Sequence, residues 1–449
     1  MQTIWGTALN SCTERKKIMS PNGKKLVIIS LDACVTEDLE KFKELPTLSH
    51  MMKNGAVIKK INEIYPTFTY PSHTTMLSGV YPDKHGVTSN YRYIPGCINL
   101  PWNWYHTIVK CKDLMDRAKE AGMTTASISW PVMGKHPNVD YLVDEIWPLD
   151  PESGTDGLAS VFLGSGTEQW LFESCVAPYA DLRVRRRQPD TSWFSTFTAS
   201  DIIREYAPDV TAIHLTLIDN YRHKSGVFSE MVTNGLKDAD EMVRKIVEAV
   251  SYTGFLPVTD FAIVSDHGQM NIDRTANVNV LFRKAGLIDI TADGEVKDYL
   301  AWCHAVGTSA HVEIKEKGDM ITYGKVEELL REAAKDPDSG IGKVWTTAET
   351  EKNDHLSGDF SFVLETDGHT RFGNAWTGSY FTESTDKATH GHHPGSAPSP
   401  FFIGYGPSFK EGAVMPEADL IDEAPTYAKI LGIELPGADG RALTEIIRK

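Results

Sequence analysis

No apolar run in the 449-residue chain approaches the roughly 20 residues that a membrane span requires. No membrane span is expected. Positive charge is in deficit: 45 Lys and Arg face 61 Asp and Glu, a formal net charge of −16. A nucleic-acid polymer is therefore not an expected partner, because its phosphates call for a basic face. Small anionic substrates stay open, since bound metal ions supply local positive charge. Cysteine is sparse. Six are scattered at Cys12, Cys34, Cys97, Cys111, Cys175 and Cys303, with no C-x-x-C pair. The expected setting is cytoplasmic, with reduced thiols. Residues 1–23 contain Glu14, Arg15, Lys16 and Lys17 and no continuous apolar core, so they read as an N-terminal extension, not a signal peptide. The chain has no G-x-S-x-G and no H-E-x-x-H, which disfavours a serine nucleophile elbow and the helical zinc-protease motif. The glycines of LGSGT (Gly164, Gly166) have no following Lys, so a P-loop is not expected. There is no internal repeat and no low-complexity tract.

What remains is a chain with ample material for a core: 41% of its residues are hydrophobic. Residues 24–32 read as a buried parallel strand, a β-branched apolar run ending in Asp32. Pro46 to Gly55 and Lys112 to Gly122 read as helices, the first opened by Pro46, and Thr124 to Ser129 as a strand. A short helix is expected at Met76 to Gly79, which Pro71 can open. Thr211 to Ile218 and Asp260 to Val264 are further core strands, with a long amphipathic helix over Val232 to Val250 between them. This rhythm predicts an α/β fold, a mostly parallel central sheet with helices on both faces. Residues 132–200, rich in Pro, Gly, Trp and charge, read as loops over the sheet. Residues 285–375 read as a small α+β insertion, with alternation at His311 to Lys315 and Phe360 to Leu364 and a helix at Val326 to Ala334. The core returns at Phe401 to Gly404 and closes with a helix near Pro425 to Leu431. The expected division is a core of residues 24–284 and 376–446, a cap of residues 285–375 and an extension of residues 1–23.

Three apolar runs each end in an aspartate: KKLVIISLD at Asp32, TAIHLTLID at Asp219 and FAIVSD at Asp266. Two of them bring a histidine, His267 directly and His223 four residues on, and His390 stands late in ATHGHHPG. Strand ends lie side by side in a sheet, so ligands distant in sequence meet at its C-terminal edge. Mixed carboxylate and imidazole groups suit zinc, and carboxylate-rich two-metal sites suit phosphoryl transfer. The segment TFTYPSHTT offers hydroxyls just before a helix start, where backbone N–H groups favour a phosphate. Thr67, Thr69, Thr74 and Thr75 are the rival nucleophiles.

The ordered set Asp32, TFTYPSHTTMLSGVYPDKHGV, Asp219-x-x-x-His223, Asp266-His267-Gly268 and Thr389-His390-Gly391 resembles the type I phosphodiesterase / nucleotide pyrophosphatase family of the alkaline phosphatase superfamily. The resemblance runs from about Lys24 to Leu443. It implies an alkaline-phosphatase-like fold and two Zn2+ ions. It implies Thr69 as the nucleophile, from the T-[FY]-P match, and a phospho-threonine intermediate. By the same mapping Asp32, Thr69, Asp266 and His267 hold one ion, and Asp219, His223 and His390 the other. His390 is preferred over His392 and His393 because Gly391 follows it. Asn90 and Tyr93 fall where relatives keep the substrate mouth. The family's nucleotide pyrophosphatases read T-F-P-N-H. Here Thr69-Tyr-Pro-Ser72-His73 puts a shorter hydroxyl at the asparagine position, and Ser72 becomes the expected oxyanion donor.

The expected activity is hydrolysis of phosphate diesters or nucleotide pyrophosphate bonds in a small phosphoester or phosphonate substrate. A phosphonate (C–P) hydrolase or phosphomonoesterase of the same superfamily is the alternative, and a non-catalytic metal-binding scaffold the more distant one. His73 and His85 read as structural. Trp102, Trp104 and Tyr105 fit core packing or stacking against a substrate ring. Arg183, Arg185, Arg186 and Arg187 form a basic knot in an acidic chain, read as a solvated loop or as a clamp on an anionic substrate.

Overall fold

The computed structural model describes residues 21–148, 150 and 153–448, so most of the expected N-terminal extension lies outside the described residues. Leu26, Val27, Ile28 and Ile29 are buried along the strand Lys25–Leu31, which runs through the middle of an eight-stranded sheet. Alternation divides that strand between two layers. Val27, Ile29 and Leu31 join the apolar core on one face, and Leu26 and Ile28 the core on the other. A strand buried on both faces reads as a continuous apolar run, which is why these residues carry no polar alternation.

The strand order across the sheet is Ala413–Asp419, Ala56–Asn62, Phe402–Tyr405, Thr259–Val264, Lys25–Leu31, Val210–Leu215, Thr125–Ile128, Tyr141–Val143. Phe402–Tyr405 runs antiparallel to both its neighbours, and the remaining pairs are parallel. One face is covered by the helices Pro46–Asn54, Asp190–Tyr206 and Glu230–Thr253, the other by Thr69–Ser78, Leu114–Glu120 and Glu423–Leu431. Ser229 caps the longest helix by accepting from Val232 N–H at 3.2 Å, and Gly254 ends it in the left-handed region at φ +79°. Asp240 of that helix caps another: its carboxylate accepts from Thr47 and Leu48 N–H at 3.0 and 2.7 Å, tying Pro46–Asn54 to the layer.

Residues 132–200 are more regular than expected. They hold the helices Gly154–Gly164, Ala180–Val184 and the start of the 17-residue Asp190–Tyr206. The last is rich in Ser and Thr, which ordinarily compete with helix formation. Here it is buried, and Thr196 and Ser200 return their hydroxyls to the carbonyls of Ser192 and Thr196 at 2.8 and 2.7 Å. Tertiary packing overrides propensity. The run expected as the strand Thr211 to Ile218 stops at Leu215 and turns into the helix Leu217–Ser225. The helix behind Pro71 begins at Thr69, because a proline in the first turn lacks only an N–H that has no partner there.

Between Ala301 and Thr366 lies a four-stranded antiparallel sheet, ordered Ala301–Val306, Ser309–Ile314, Phe362–Thr366, Ile341–Thr346, with the helix Met320–Ala333 packed in its own apolar core. Its first hairpin turn reaches the main site. Gly307, at φ +66°, lies so close to the chain at His390 that a Cβ would sit 1.9 Å from the His390 carbonyl oxygen. Among the described residues no helix is long and apolar enough to cross a membrane.

Candidate active site

Three adjacent strands deliver the acidic ligand candidates to one edge. Asp32 follows Lys25–Leu31, and Asp266 and His267 follow its neighbour Thr259–Val264. Asp219 follows the other neighbour, Val210–Leu215, but sits in the first turn of Leu217–Ser225. The helix makes Asp219 and His223 an i, i+4 pair on one face, with His223 Nε2 3.2 Å from Asp219 Oδ1. His390 follows the short strand Ala388–Thr389.

The seven expected ligands meet in two linked groups. Around His267 Nε2 stand Thr69 Oγ1 at 3.1 Å, Asp266 Oδ2 at 3.1 Å and Asp32 Oδ1 at 3.6 Å. Around Asp219 Oδ1 stand His223 Nε2 at 3.2 Å and His390 Nε2 at 3.6 Å. Asp219 also falls within reach of Asp32 and His267, joining the groups.

The hydrogen bonds behind these atoms fit metal ligation. His267, His223 and His390 each place Nδ1 against a backbone carbonyl, of Gly268 at 3.1 Å, Ala388 at 2.8 Å and Thr67 at 3.3 Å. Nδ1–H donates there, which turns each Nε2 toward the carboxylates, as in metal-binding histidines. Asp32 Oδ1 and Asp266 Oδ2 are buried with no hydrogen-bond partner. Such carboxylate oxygens are costly without a cation.

The electrostatics agree around His267 and His390, while at His223 burial is outweighed by Asp219, which draws that imidazole above its ordinary range. Burial, then the neighbouring carboxylates of Asp266 and Asp219, pushes the Asp32 carboxyl well above its ordinary range. Burial pushes Asp266 up to about 8. Burial acts on Asp219 too, but the charge and hydrogen bond of His223 outweigh it and hold Asp219 down at about 2. Burial, then adjacent imidazoles, keeps His267 and His390 well below the usual histidine range, leaving them neutral, as ligation requires.

Two residues lie elsewhere than expected. Ser72 is fully buried one turn down the helix from Thr69, its Oγ has no partner, and it is not among the described residues lining the cavity. Tyr93 turns to the inserted sheet: its hydroxyl meets His311 Nδ1 and its ring stacks on His304 at 4.4 Å. Asn90 does line the cavity beside Thr69. Its Oδ1 accepts from Tyr70 N–H at 2.8 Å, at the N-terminus of Thr69–Ser78, leaving the side-chain NH2 as donor. A helix places residue i+3 a turn deeper. A residue from a crossing loop can stand at the helix mouth, and no local spacing announces it.

His214 and Glu63 are supporting groups that sequence patterns had not singled out. His214 Nε2 lies 2.9 Å from Asp32 Oδ2, and Glu63 Oε1 accepts from Gly268 N–H at 2.9 Å, securing the turn after His267. The histidine inside the apolar run TAIHL was the available signal for the first. His73, on the same helix as Thr69, bonds the Thr69 carbonyl at 2.8 Å and Ser30 Oγ at 2.9 Å.

A separate group, His106, Asp113 and His136, has a different logic. His136 Nδ1 accepts from Asn138 N–H at 3.0 Å, so its hydrogen sits on Nε2 and points at Asp113 Oδ2, 3.2 Å away. That is a neutral imidazole hydrogen-bonded to a helix-capping carboxylate, since Asp113 Oδ1 accepts from Met115 and Asp116 N–H at 2.8 and 3.0 Å.

The two groups open into a cavity of about 860 Å³. Phe68, Tyr91, Trp102 and Trp147 form its aromatic walls, and Arg183, Arg186, Arg187 and Lys224 also line it.

A family model described as type I phosphodiesterase / nucleotide pyrophosphatase matches residues 26–395. Among curated proteins, a Caenorhabditis elegans ectonucleotide pyrophosphatase/phosphodiesterase is 26% identical over 60% of this chain and 29% of its own length. Rat ectonucleotide pyrophosphatase/phosphodiesterase family member 3 is 21% identical over 94% of this chain and 44% of its own. Bis(5'-adenosyl)-triphosphatase ENPP4 of Pongo abelii is 20% identical over 91% of this chain and 78% of its own. The chain spans less than half the length of the first two. Among solved structures, murine ectonucleotide pyrophosphatase/phosphodiesterase 5, an inactive variant in complex with AMP, is similar with a TM-score of 0.64 at 14% identity, covering 95% of this chain and 100% of that one. That likeness shows an alkaline-phosphatase-like fold.

Proposed function

The chain belongs to the type I phosphodiesterase / nucleotide pyrophosphatase family, and on that premise we propose that it hydrolyses phosphate diesters or nucleotide pyrophosphate bonds with Thr69 as nucleophile. One observation carries the reading: three carbonyl-anchored imidazoles and carboxylate oxygens without partners converge beside the Thr69 hydroxyl. Asp32, Thr69, Asp266 and His267 would hold one Zn2+, and Asp219, His223 and His390 the other. When bound, the ions would supply Lewis-acid stabilisation of the phosphoryl and leaving oxygens and ease ionisation of the hydroxyl.

The chain's own groups do the rest. Thr69 opens a 10-residue helix, so its oxygen sits where the helix dipole and free N–H groups favour a phosphate. Thr69 Oγ1 forms the new bond to phosphorus as the bond to the leaving oxygen breaks. Water then cleaves the threonyl phosphate and restores the hydroxyl. The Asn90 NH2 is the side-chain donor placed to meet a phosphoryl oxygen, with its Oδ1 held by Tyr70 N–H. The Phe68 ring packs at a tilt against His390, centroids 4.7 Å apart, and supplies an apolar contact beside the site.

Metal analysis of the purified chain, with rates on bis-p-nitrophenyl phosphate, p-nitrophenyl phosphate and phosphonoacetate, tests this. Two ions per chain and a clear preference for the diester are expected, with Thr69→Ala retaining metal and losing turnover. A Thr69→Ala protein that binds metal and turns over at the wild-type rate would overturn the nucleophile. Preference for phosphonoacetate or the monoester would move the activity to another branch of the superfamily.

A further inference from the structure

In a chain of net charge −16, five positive side chains, of Arg183, Arg186, Arg187, Lys224 and Arg371, line the cavity. Arg183, Arg186 and Arg187 come from the segment before the helix Asp190–Tyr206, and Lys224 from the helix that carries Asp219 and His223. The arginine segment is fastened to the active site. Gln188 Nε2 donates to Thr216 Oγ1 at 2.6 Å, and Thr216 opens the helix of Asp219 and His223.

Two of the guanidinium groups flank one ring: Arg183 and Arg186 lie 5.6 and 5.7 Å from the Trp147 centroid. Arg183 is only 7% exposed. It donates to the Ile146 carbonyl at 3.0 Å, and its Nε is buried with no partner. Arg186 is exposed, reaches only the Pro148 carbonyl at 3.5 Å, and has no carboxylate partner among the described residues. Its backbone stands at φ +50°, a region that bulky residues disfavour and that tends to be kept at ligand clamps. Lys224 likewise has no ion pair among the described residues, whereas exposed Arg187 donates to Asp190 Oδ2 at 2.9 Å and keeps its terminal NH2 groups for a ligand. The carboxylate that acts most on Arg183 is that of Glu145, and burial pushes its carboxyl up to about 7, which weakens it as a counter-ion.

A buried guanidinium with an unmet N–H, beside a second without a counter-ion, is costly unless an anion arrives. The planar fork of arginine matches phosphate and carboxylate in two-point contact. The cavity's volume is in the range that holds a substrate with more than one binding group. We propose that Arg183, Arg186, Arg187 and Lys224 form a second anion subsite, which selects substrates bearing a distal phosphate or carboxylate beyond the scissile phosphodiester. This rests on the phosphodiesterase reading above and deepens it to a substrate class. The aromatic faces of Trp102, Trp147 and Tyr91 would hold the uncharged span between the two anions.

The test uses p-nitrophenyl phosphodiesters of matched length whose other arm ends in a methyl, a carboxylate or a phosphate. The purified full chain should show kcat/KM at least ten-fold higher for a charged arm than for the neutral one, the gain residing in KM and shrinking with added salt. The comparison of the two charged arms identifies the anion. Arg186→Ala and Arg187→Ala, both on exposed residues, should each lower the charged-to-neutral ratio by roughly ten-fold, the scale of one charge-assisted contact. Arg186→Lys should restore part of it. Arg183→Ala is read only alongside its melting curve, because that residue is buried. A wild-type ratio near one, or a ratio unmoved in Arg186→Ala and Arg187→Ala, overturns the subsite while leaving the hydrolase intact. Calorimetry with inorganic tripolyphosphate separates the two ideas. If no arm is hydrolysed, yet tripolyphosphate binds the wild type and not Arg186→Glu, the subsite stands and the phosphodiesterase reading falls. If there is neither hydrolysis nor binding, both fall.

Discussion

Asp266→Asn is expected to change stability in opposite directions with and without metal. Asp266 is fully buried, its Oδ1 accepts from Ala33 N–H at 3.1 Å, and its Oδ2 has no partner. In the metal-free protein, burial lifts its carboxyl from 3.8 to about 8. The folded state then binds this proton more tightly than the unfolded state. The linkage makes the metal-free fold lose stability as pH rises from about 4 to about 8, with no further loss from this group above that. The full difference is on the order of 6 kcal/mol, at about 1.4 kcal/mol per tenfold change in proton affinity. An asparagine carries no charge at any of these pH values, and its Oδ1 can still accept from Ala33. At pH 8 in chelator, the variant should therefore unfold at higher urea than wild type, and at pH 5 the two should converge. With zinc the order should reverse, because the amide is a poorer ligand and metal binding stabilises the fold by mass action. Tryptophan fluorescence in urea, at pH 5 and 8 with chelator and with zinc, gives the four comparisons. If Asp266→Asn is the less stable protein at pH 8 in chelator as well, the carboxylate is not an uncompensated buried charge and the metal argument fails.

Asn90→Ala should lower kcat by roughly a hundred-fold with little change in KM, the usual cost of one oxyanion donor; a change under two-fold would remove Asn90 from the reaction. His223→Ala and His267→Ala should each reduce bound metal from two ions per chain toward one, measured by plasma emission, and full occupancy in either would reassign that ligand. Gly307→Ala would put a methyl 1.9 Å from the His390 carbonyl at φ +66°, so lower melting temperature and lower metal content are expected together. An unchanged melt with two ions bound would show that the hairpin does not position His390.

Much of the fold was legible because its signals are local. Residues 26–29, before Asp32, are apolar at every position since both faces of their strand are covered. The Ser- and Thr-rich helix Asp190–Tyr206 was not legible, because its stability comes from burial against Glu230–Thr253 and from hydroxyls bonded back along the helix. Asp219 was expected at a strand end and lies a helical turn later; spacing alone fits both, and only the sheet's edge at Leu215 decides between them.

By itself, the sequence indicated core strands of the sheet and, through its ordered motifs, the family and six candidate metal ligands to set beside Thr69. Covalent neighbours and short periodic patterns carry that information, and it survives without knowledge of any distant contact. Only the tertiary structure decided that Asp219 links both groups, that Asn90 and not Ser72 faces the cavity, and that Arg183, Arg186 and Arg187 of the arginine knot line it. Each of these depends on segments far apart in the chain being packed against one another. Such placement is set by the summed burial of many side chains, and no one stretch of residues encodes it.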